Sequence, residues 1–379
     1  MSTTKRNHSI CRWTFNAGKG GFVPGDIRPA WSGENLPTAK VPGLIRKEIA
    51  PRLPEHIQLG FELHYDAEVN EGNVAAVVDA MGEAGLALAM STPGAHAHFA
   101  YGGICSLDPK ERAAAGDLGK KVLDLTYGPL RPAWHKDAAL APSCVLWNGA
   151  WGYDMTTIGV REMHKHMRAG LAAFCQYEKS LGEELYIVIE PKPNEGHPAM
   201  LLPTVASAIL VWRLIEEEHG VSRAKKGVNK ELGHSEMIGL DHVYDTVEEI
   251  EAGTLHHIHL NSQGYNDGLH MGGPGKYDID FGTQINAMNI AMAGLIRTAG
   301  YGRWLGHDMQ ARPYDNEQQG IDRVVRSVLS WDACDQAAAK VDENALLQAL
   351  ADRKTAEAED IMRAALVDAH QAFDSMYNS

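Results

Sequence analysis

The stretch Leu185–Met237, LYIVIEPKPNEGHPAMLLPTVASAILVWRLIEEEHGVSRAKKGVNKELGHSEM, decides the fold. It opens on an apolar β-prone run, Leu185–Glu190, crosses a loop rich in proline, and enters a helical pattern over Pro203–His219. A second β-prone run follows at Lys226–Glu231. Strand, helix and strand in this order predict two parallel strands joined by a crossover helix.

Working outward, the same alternation recurs. Further β-prone runs lie at Cys11–Asn16, Gln58–His64, Leu86–Ser91, Ser143–Trp147, Leu255–Asn261 and Arg303–Asp308, giving eight in all. Helical patterns separate them at Gly72–Gly85, Asp108–Tyr127, Ile158–Leu181, His242–Ala252 and Thr283–Ala299, and one more follows at Glu317–Trp331. Pro37, Pro42, Pro51 and Pro54 leave room for only a short helix in the first connection. Eight β/α units predict an α/β protein closed into a (β/α)8 TIM barrel. An open doubly wound sheet would carry a glycine-rich phosphate turn after its first strand; no G-x-G-x-x-G stands there, and no Walker sequence occurs in the chain. We read residues 1–332 as the barrel and 333–379 as a C-terminal extension of two amphipathic helices. Their apolar stripes need a partner, and oligomer contacts are expected there.

Composition narrows the function. With 35 basic against 49 acidic side chains the formal charge is -14, which opposes binding to nucleic acid or anionic lipid. The longest apolar stretch, Ala199–Trp212, is interrupted by Pro203 and is too short for a membrane span. The N-terminus has basic residues but no apolar h-region, and the 5 cysteines are scattered and never C-x-x-C. A cytoplasmic protein with reduced thiols is expected.

The chemistry gathers where strands end, which is where a barrel of this kind builds its site. The strand ends read FELHYDAE, IVIEPKPNE, GVNKELGHSEM, HIHLNSQGYNDGLHMGGPGKYDIDFG and WLGHDMQARP. Glu190, Glu231, Asp278, Asp280 and Asp308 crowd one mouth, and the basic Lys192 and Arg312 are too few to neutralise them all. Buried carboxylates without partners are costly, so this set predicts bound cations, and two divalent ions would balance it. Oxygen donors with an occasional imidazole suit magnesium, manganese or cobalt. Alternation along a strand lets Glu190 enter the mouth with Lys192, Asn229 with Glu231, and His257 with His259. Asp278 and Asp280 form a D-x-D step, and His234 follows Glu231 closely enough to share an ion with it.

Taken together, EPKPNE (190–195), N-x-E-x-G-H-x-x-M (Asn229–Met237), H-I-x-L-N, K-Y-D-x-D-x-G and a final H-D resemble the xylose isomerase family. The W-T at Trp13 and Thr14, the D-I-R-P at 26–29 and the V-L-W-N-G at Val145–Gly149 extend the resemblance over about residues 10 to 330. It implies a metal held by Glu190, Glu231 and Asp308 that grips two sugar hydroxyls. A second, catalytic metal would be held by Glu231, His234, Asp278 and Asp280. It further implies His64 as the group that assists ring opening, Lys192 as the hydrogen-bond donor to O1, and Trp13 and Trp147 as the apolar walls of the sugar pocket. Phe22 would reach towards a partner's pocket, and the helical tail would embrace a neighbouring subunit in a dimer or tetramer.

Several positions depart from the family pattern. His259 stands where the family has an aspartate in H-I-D-L-N, so the first metal would have two Glu, one His and one Asp. Loss of a negative charge shifts the expected preference towards manganese or cobalt. Ala67 replaces the aspartate that partners the ring-opening histidine, leaving Asp66 or Glu68 to serve, and Gln310 replaces a lysine. In STPGAHAHFAYGG, His96, His98 or Phe99 would stand in for the usual aromatic. The expected function is aldose–ketose isomerisation of a free monosaccharide such as D-xylose by metal-assisted hydride shift. The alternatives are a sugar epimerase that moves a proton, a non-catalytic sugar-binding relative, and, opposed by the net charge, an abasic-site nuclease.

Overall fold

The computed structural model describes residues 5–16, 29–32, 34–153, 155, 157–194, 199–263, 281, 285–312 and 315–378. Eight parallel strands close a barrel: β1 (Arg6–Cys11), β2 (Ile57–Tyr65), β3 (Ala87–Pro93), β4 (Ser143–Trp147), β5 (Tyr186–Glu190), β6 (Lys226–Glu231), β7 (Leu255–His259) and β8 (Leu305–His307). Each pairs with the next in sequence and β8 returns to β1, so the ring leaves no open edge. The expected (β/α)8 TIM barrel is the fold. Helices α1 (Val74–Ala84), α2 (Pro109–Tyr127), α3 (Val160–Leu181), α4 (Val205–His219), α5 (His242–Ala252), α6 (Ala287–Thr298) and α7 (Glu317–Ala338) surround it. The first connection holds only short helical turns between Thr38 and Arg52, as its prolines require.

One strand lies elsewhere than expected. The run Cys11–Asn16 was expected to be extended, but β1 ends at Cys11 and Arg12–Phe15 form a 3-10 turn. Side chains impose this turn. Arg12 donates to Thr38 Oγ1 at 3.2 Å and to the Leu36 carbonyl at 2.8 Å, while Thr14 Oγ1 donates to the Met309 carbonyl at 2.9 Å. The chain therefore turns across the mouth and carries Trp13 over it.

The apolar core lies between strands and helices, with Ile10, Phe61, Leu63, Ile187 and Ile189 facing outward into it. Inside the barrel the polar Ser9, Glu62, Ser143, Asn229, His257 and His259 are buried beside a small apolar cluster of Cys11, Met90, Val145 and Val188. Trp304 plugs the end opposite the mouth and donates its Nε1 to the Leu140 carbonyl at 3.1 Å. It fits because Gly60 has no side chain; a Cβ there would sit 2.7 Å from the indole ring.

Helix α7 runs on past residue 332 to Ala338, and α8 (Glu343–Ala351) and α9 (Thr355–Tyr377) follow. The last helix folds back on its own chain. Ala365 and Ala369 pack into a cluster with Ile290, Met292, Trp331 and Cys334, and Tyr377 donates its hydroxyl to Asp322 at 2.8 Å. The partner for this stripe is thus α6 and α7, while Leu347, Leu350 and Val367 remain exposed. No helix among the described residues is long and apolar enough to cross a membrane.

Candidate metal centre

Strand register brings the expected ligands to one level. Glu231 is paired with His259 across β6 and β7, and Trp147 with Glu190 across β4 and β5. Asp308 follows β8 directly. His259 Nδ1 lies 3.3 Å from Glu190 Oε2, 3.2 Å from Glu231 Oε2 and 3.6 Å from Asp308 Oδ2. One donor atom from each of these residues falls within 4.8 Å of all the others. Such a set of three carboxylate oxygens and one imidazole nitrogen fits a divalent ion bound at about 2.0–2.2 Å.

The electrostatics also fit a cation. Burial, followed by the charges of Glu231 and Glu190, pushes the Asp308 carboxyl up to about 8. Burial opposes charge on Glu231 too, but His234 and His259 outweigh it and hold this carboxyl well below its usual range. Burial would likewise neutralise His259, yet Glu62, Glu190 and Glu231 keep its pKa well above the ordinary value. Carboxylates this close repel one another, and a divalent ion between them would relieve that repulsion.

Neighbouring side chains fix the donors. Asn229 Nδ2 donates to Glu190 Oε2 at 2.6 Å, and Asn261 Nδ2 donates to Glu231 Oε1 at 2.6 Å. His234 Nδ1 lies 3.0 Å from the Pro191 carbonyl, which assigns the proton to Nδ1 and leaves a lone pair on Nε2. That Nε2 stands 2.9 Å from Glu231 Oε1 without making a hydrogen bond. With Nε2 unprotonated, this nitrogen and the Glu231 oxygen could share a second cation at the outer side of Glu231. The other residues expected there, Asp278 and Asp280, lie outside the described residues, as does Phe22.

The rest of the mouth is aromatic and basic. Trp13 packs edge-on against His64 with ring centroids 4.2 Å apart, and His96 packs against Trp147 at 4.7 Å. Of the third-strand candidates it is thus His96 that joins the wall. Gly149 makes this possible, since a Cβ there would lie 2.2 Å from the Trp147 ring. Lys192 is buried, with its ammonium 5.7 Å from the Trp147 ring centroid. Its backbone is clamped by Asn148, whose Oδ1 accepts from Lys192 N at 3.1 Å and whose Nδ2 donates to the Lys192 carbonyl at 2.9 Å. The Asn of V-L-W-N-G is therefore the tie between two strand ends.

For His64 the structure selects one of the two carboxylates left open by sequence. Glu68 Oε2 lies 3.2 Å from His64 Nδ1 and accepts from the His64 backbone N–H at 2.8 Å. Asp66 faces away from His64 and pairs with His98 at 3.0 Å. Its expected place beside His64 is therefore corrected: β2 ends at Tyr65 and the chain turns there, so Asp66 leaves the face that carries His64, and Glu68 folds back. Sequence reasoning also missed Glu62, which is buried inside the barrel beneath His259. The signal was present in FELHYDAE, because alternation puts Glu62 on the same face as His64.

A closed parallel barrel with carboxylates and imidazoles converging at its strand ends is a TIM barrel with a candidate metal site. The chain is 28% identical over 260 residues to a xylose isomerase from Thermus caldophilus. That match covers 64% of this chain and 60% of the relative's length. No family model matches. Among solved structures, a 3-keto-D-glucoside 4-epimerase from E. coli superposes with a TM-score of 0.55 at 14% identity, covering 85% of this chain and 98% of that one. A D-allulose 3-epimerase from Methylomonas sp. gives 0.54 at 15% identity, with coverages of 86% and 97%. A xylose isomerase domain protein from Planctomyces limnophilus gives 0.51 at 11% identity, with coverages of 89% and 99%. The chain is a TIM barrel that is similar in sequence to a xylose isomerase.

Proposed function

We propose that this protein is a metal-dependent aldose–ketose isomerase acting on a free monosaccharide. The observation that carries the reading is the convergence of Glu190, Glu231, His259 and Asp308 in the same mouth as Lys192 and the His64–Glu68 pair. Glu190, Glu231, His259 and Asp308 would hold one divalent ion, and Glu231 with His234, Asp278 and Asp280 a second. Manganese, cobalt or magnesium bound there supplies Lewis acidity and a water of lowered pKa.

The chain's own residues account for the remaining tasks. Trp13 and Trp147 would flank the apolar face of the sugar and exclude water. Glu68 engages His64 through Nδ1, which leaves Nε2 as the atom that exchanges a proton with the ring oxygen during opening. Lys192 would donate to O1 as negative charge builds there. A homo-oligomer is part of the proposal, supported by the exposed Leu347, Leu350 and Val367 on the last two helices.

A second reading, sugar epimerisation by proton transfer, is supported by the crowding of Glu190, Glu231 and Asp308 at the mouth, since paired carboxylates can pass a proton to and from a sugar carbon. Metal-free protein reloaded with each ion and assayed on pentoses and hexoses in deuterated water separates the two. Isomerisation by hydride shift gives a ketose without solvent deuterium at C1. Deuterium at an inverted carbon would replace the isomerase by the epimerase.

A further inference from the structure

Glu62 lies on β2, wholly buried and one layer below the mouth, where no sugar can touch it. Its Oε2 is 3.0 Å from His259 Nε2 and 3.4 Å from Cys11 Sγ. Its Oε1 accepts from Ser9 Oγ at 2.5 Å and lies 3.2 Å from His257 Nε2. The carboxylate is held from behind as well. His257 Nδ1 is 3.1 Å from Ser143 Oγ, which is 3.3 Å from Arg303 Nη2 near the opposite end of the barrel.

Gly306 completes the seat. A Cβ at this position would fall 2.4 Å from Glu62 Oε1 and 2.6 Å from His259 Cδ2, so any other residue would drive the pair apart. The two nitrogens of His259 thus face different partners: Nε2 meets Glu62, while Nδ1 meets the ligand oxygens of Glu190, Glu231 and Asp308. A divalent ion at Nδ1 would displace any proton there, and the imidazole that ligates it keeps its one N–H on Nε2.

We propose that Glu62 is a positioning residue for the metal: it takes the Nε2–H of His259, and thereby aims the Nδ1 lone pair at the ion. The inference rests on the metal site proposed above. Glu62 binds neither sugar nor metal and acts only through the imidazole. Carboxylate partners of this kind raise the basicity of a ligating histidine and lock its ring, and their loss typically weakens metal binding 10–100-fold.

The test is a double-mutant cycle on the full chain, read by calorimetric titration of manganese into metal-free protein. Circular dichroism melts establish that each variant is folded. Glu62→Gln keeps the shape and a weaker acceptor, so a loss of roughly tenfold in affinity is expected, with Glu62→Met losing up to about 100-fold. In a His259→Asn background the same Glu62→Gln change should alter affinity less than about threefold, because no imidazole remains to be oriented. An equal loss in both backgrounds would show that Glu62 acts as a buried charge or as a ligand itself, and would overturn the proposal. Unchanged affinity in Glu62→Gln and Glu62→Met would overturn it too. Wild-type protein that binds no manganese, cobalt or magnesium would instead remove the metal site on which it rests.

Discussion

Trp13 Nε1 donates to Asp308 Oδ1 at 2.6 Å, so an aromatic side chain over the mouth is also the partner of a candidate metal donor. The opposite oxygen of Asp308 faces His259. Replacing Trp13 by Phe keeps an aromatic wall but deletes this hydrogen bond to a buried carboxyl. The expected cost is about 1.5 kcal/mol, or roughly tenfold in metal affinity. Titration of manganese into metal-free Trp13→Phe checks it, and an unchanged affinity would reduce Trp13 to packing alone.

Lys192 separates turnover from metal binding. Its ammonium lies over Trp147, and Asn148 holds its backbone independently of its side chain. Lys192→Met should reduce kcat by about 10²–10³-fold, the scale of losing one donor to a developing oxyanion. Manganese affinity should change less than about threefold. Steady-state kinetics beside calorimetry measure both, and a parallel fall in metal affinity would place the ammonium's role in the metal shell.

Most of the site was readable because a TIM barrel presents its strand ends as a ring. Glu190, Glu231, His259 and Asp308 close successive strands, and strand register alone brings them level. Glu62 was missed because it sits one layer down, where the usual barrel residue is apolar and a carboxylate survives only by tertiary contacts from Ser9, His257 and His259. The choice of Glu68 over Asp66 for His64 was equally out of reach: both are near in sequence, and only the path of the backbone after β2 decides which one folds back. The extended reading of Cys11–Asn16 failed for a related reason, since contacts with Leu36, Thr38 and Met309, all distant in sequence, bend that segment.

Acid should destabilise the fold before ordinary carboxylates titrate. Burial, then the charge of Lys230, lowers the pKa of His242 to about 4, and burial with Arg303 does the same for His256. A folded-state pKa below the unfolded value gives stability that is complete above about 6.5 and is lost as pH falls towards 4, because the unfolded chain takes up the proton first. For His242 alone this amounts to roughly 2 kcal/mol between pH 7 and pH 5. Urea unfolding of metal-free protein at both pH values measures it. His242→Asn should lose less stability over that interval than wild type by about this amount, and identical pH slopes would contradict the assignment.

Metal preference offers the sharpest test of how His259 and Glu62 work together. With an imidazole in the shell, manganese or cobalt should activate better than magnesium, which prefers oxygen donors. His259→Asp restores an all-oxygen set, yet it also sets a second carboxylate against Glu62, whose oxygen now lies 3.0 Å from the imidazole. Two buried carboxylates facing one another with no imidazole between them cannot both ionise readily, so the single variant should bind all three ions poorly. Glu62→Gln in the same chain removes the repulsion and supplies an amide that can donate to the new aspartate. The double variant should therefore bind magnesium at least about tenfold more tightly than His259→Asp does, in the reverse of simple additivity. Calorimetric titration of the three ions into wild type, both single variants and the double variant measures this coupling. Magnesium affinity that falls further in the double variant would mean that residue 259 does not contact the ion.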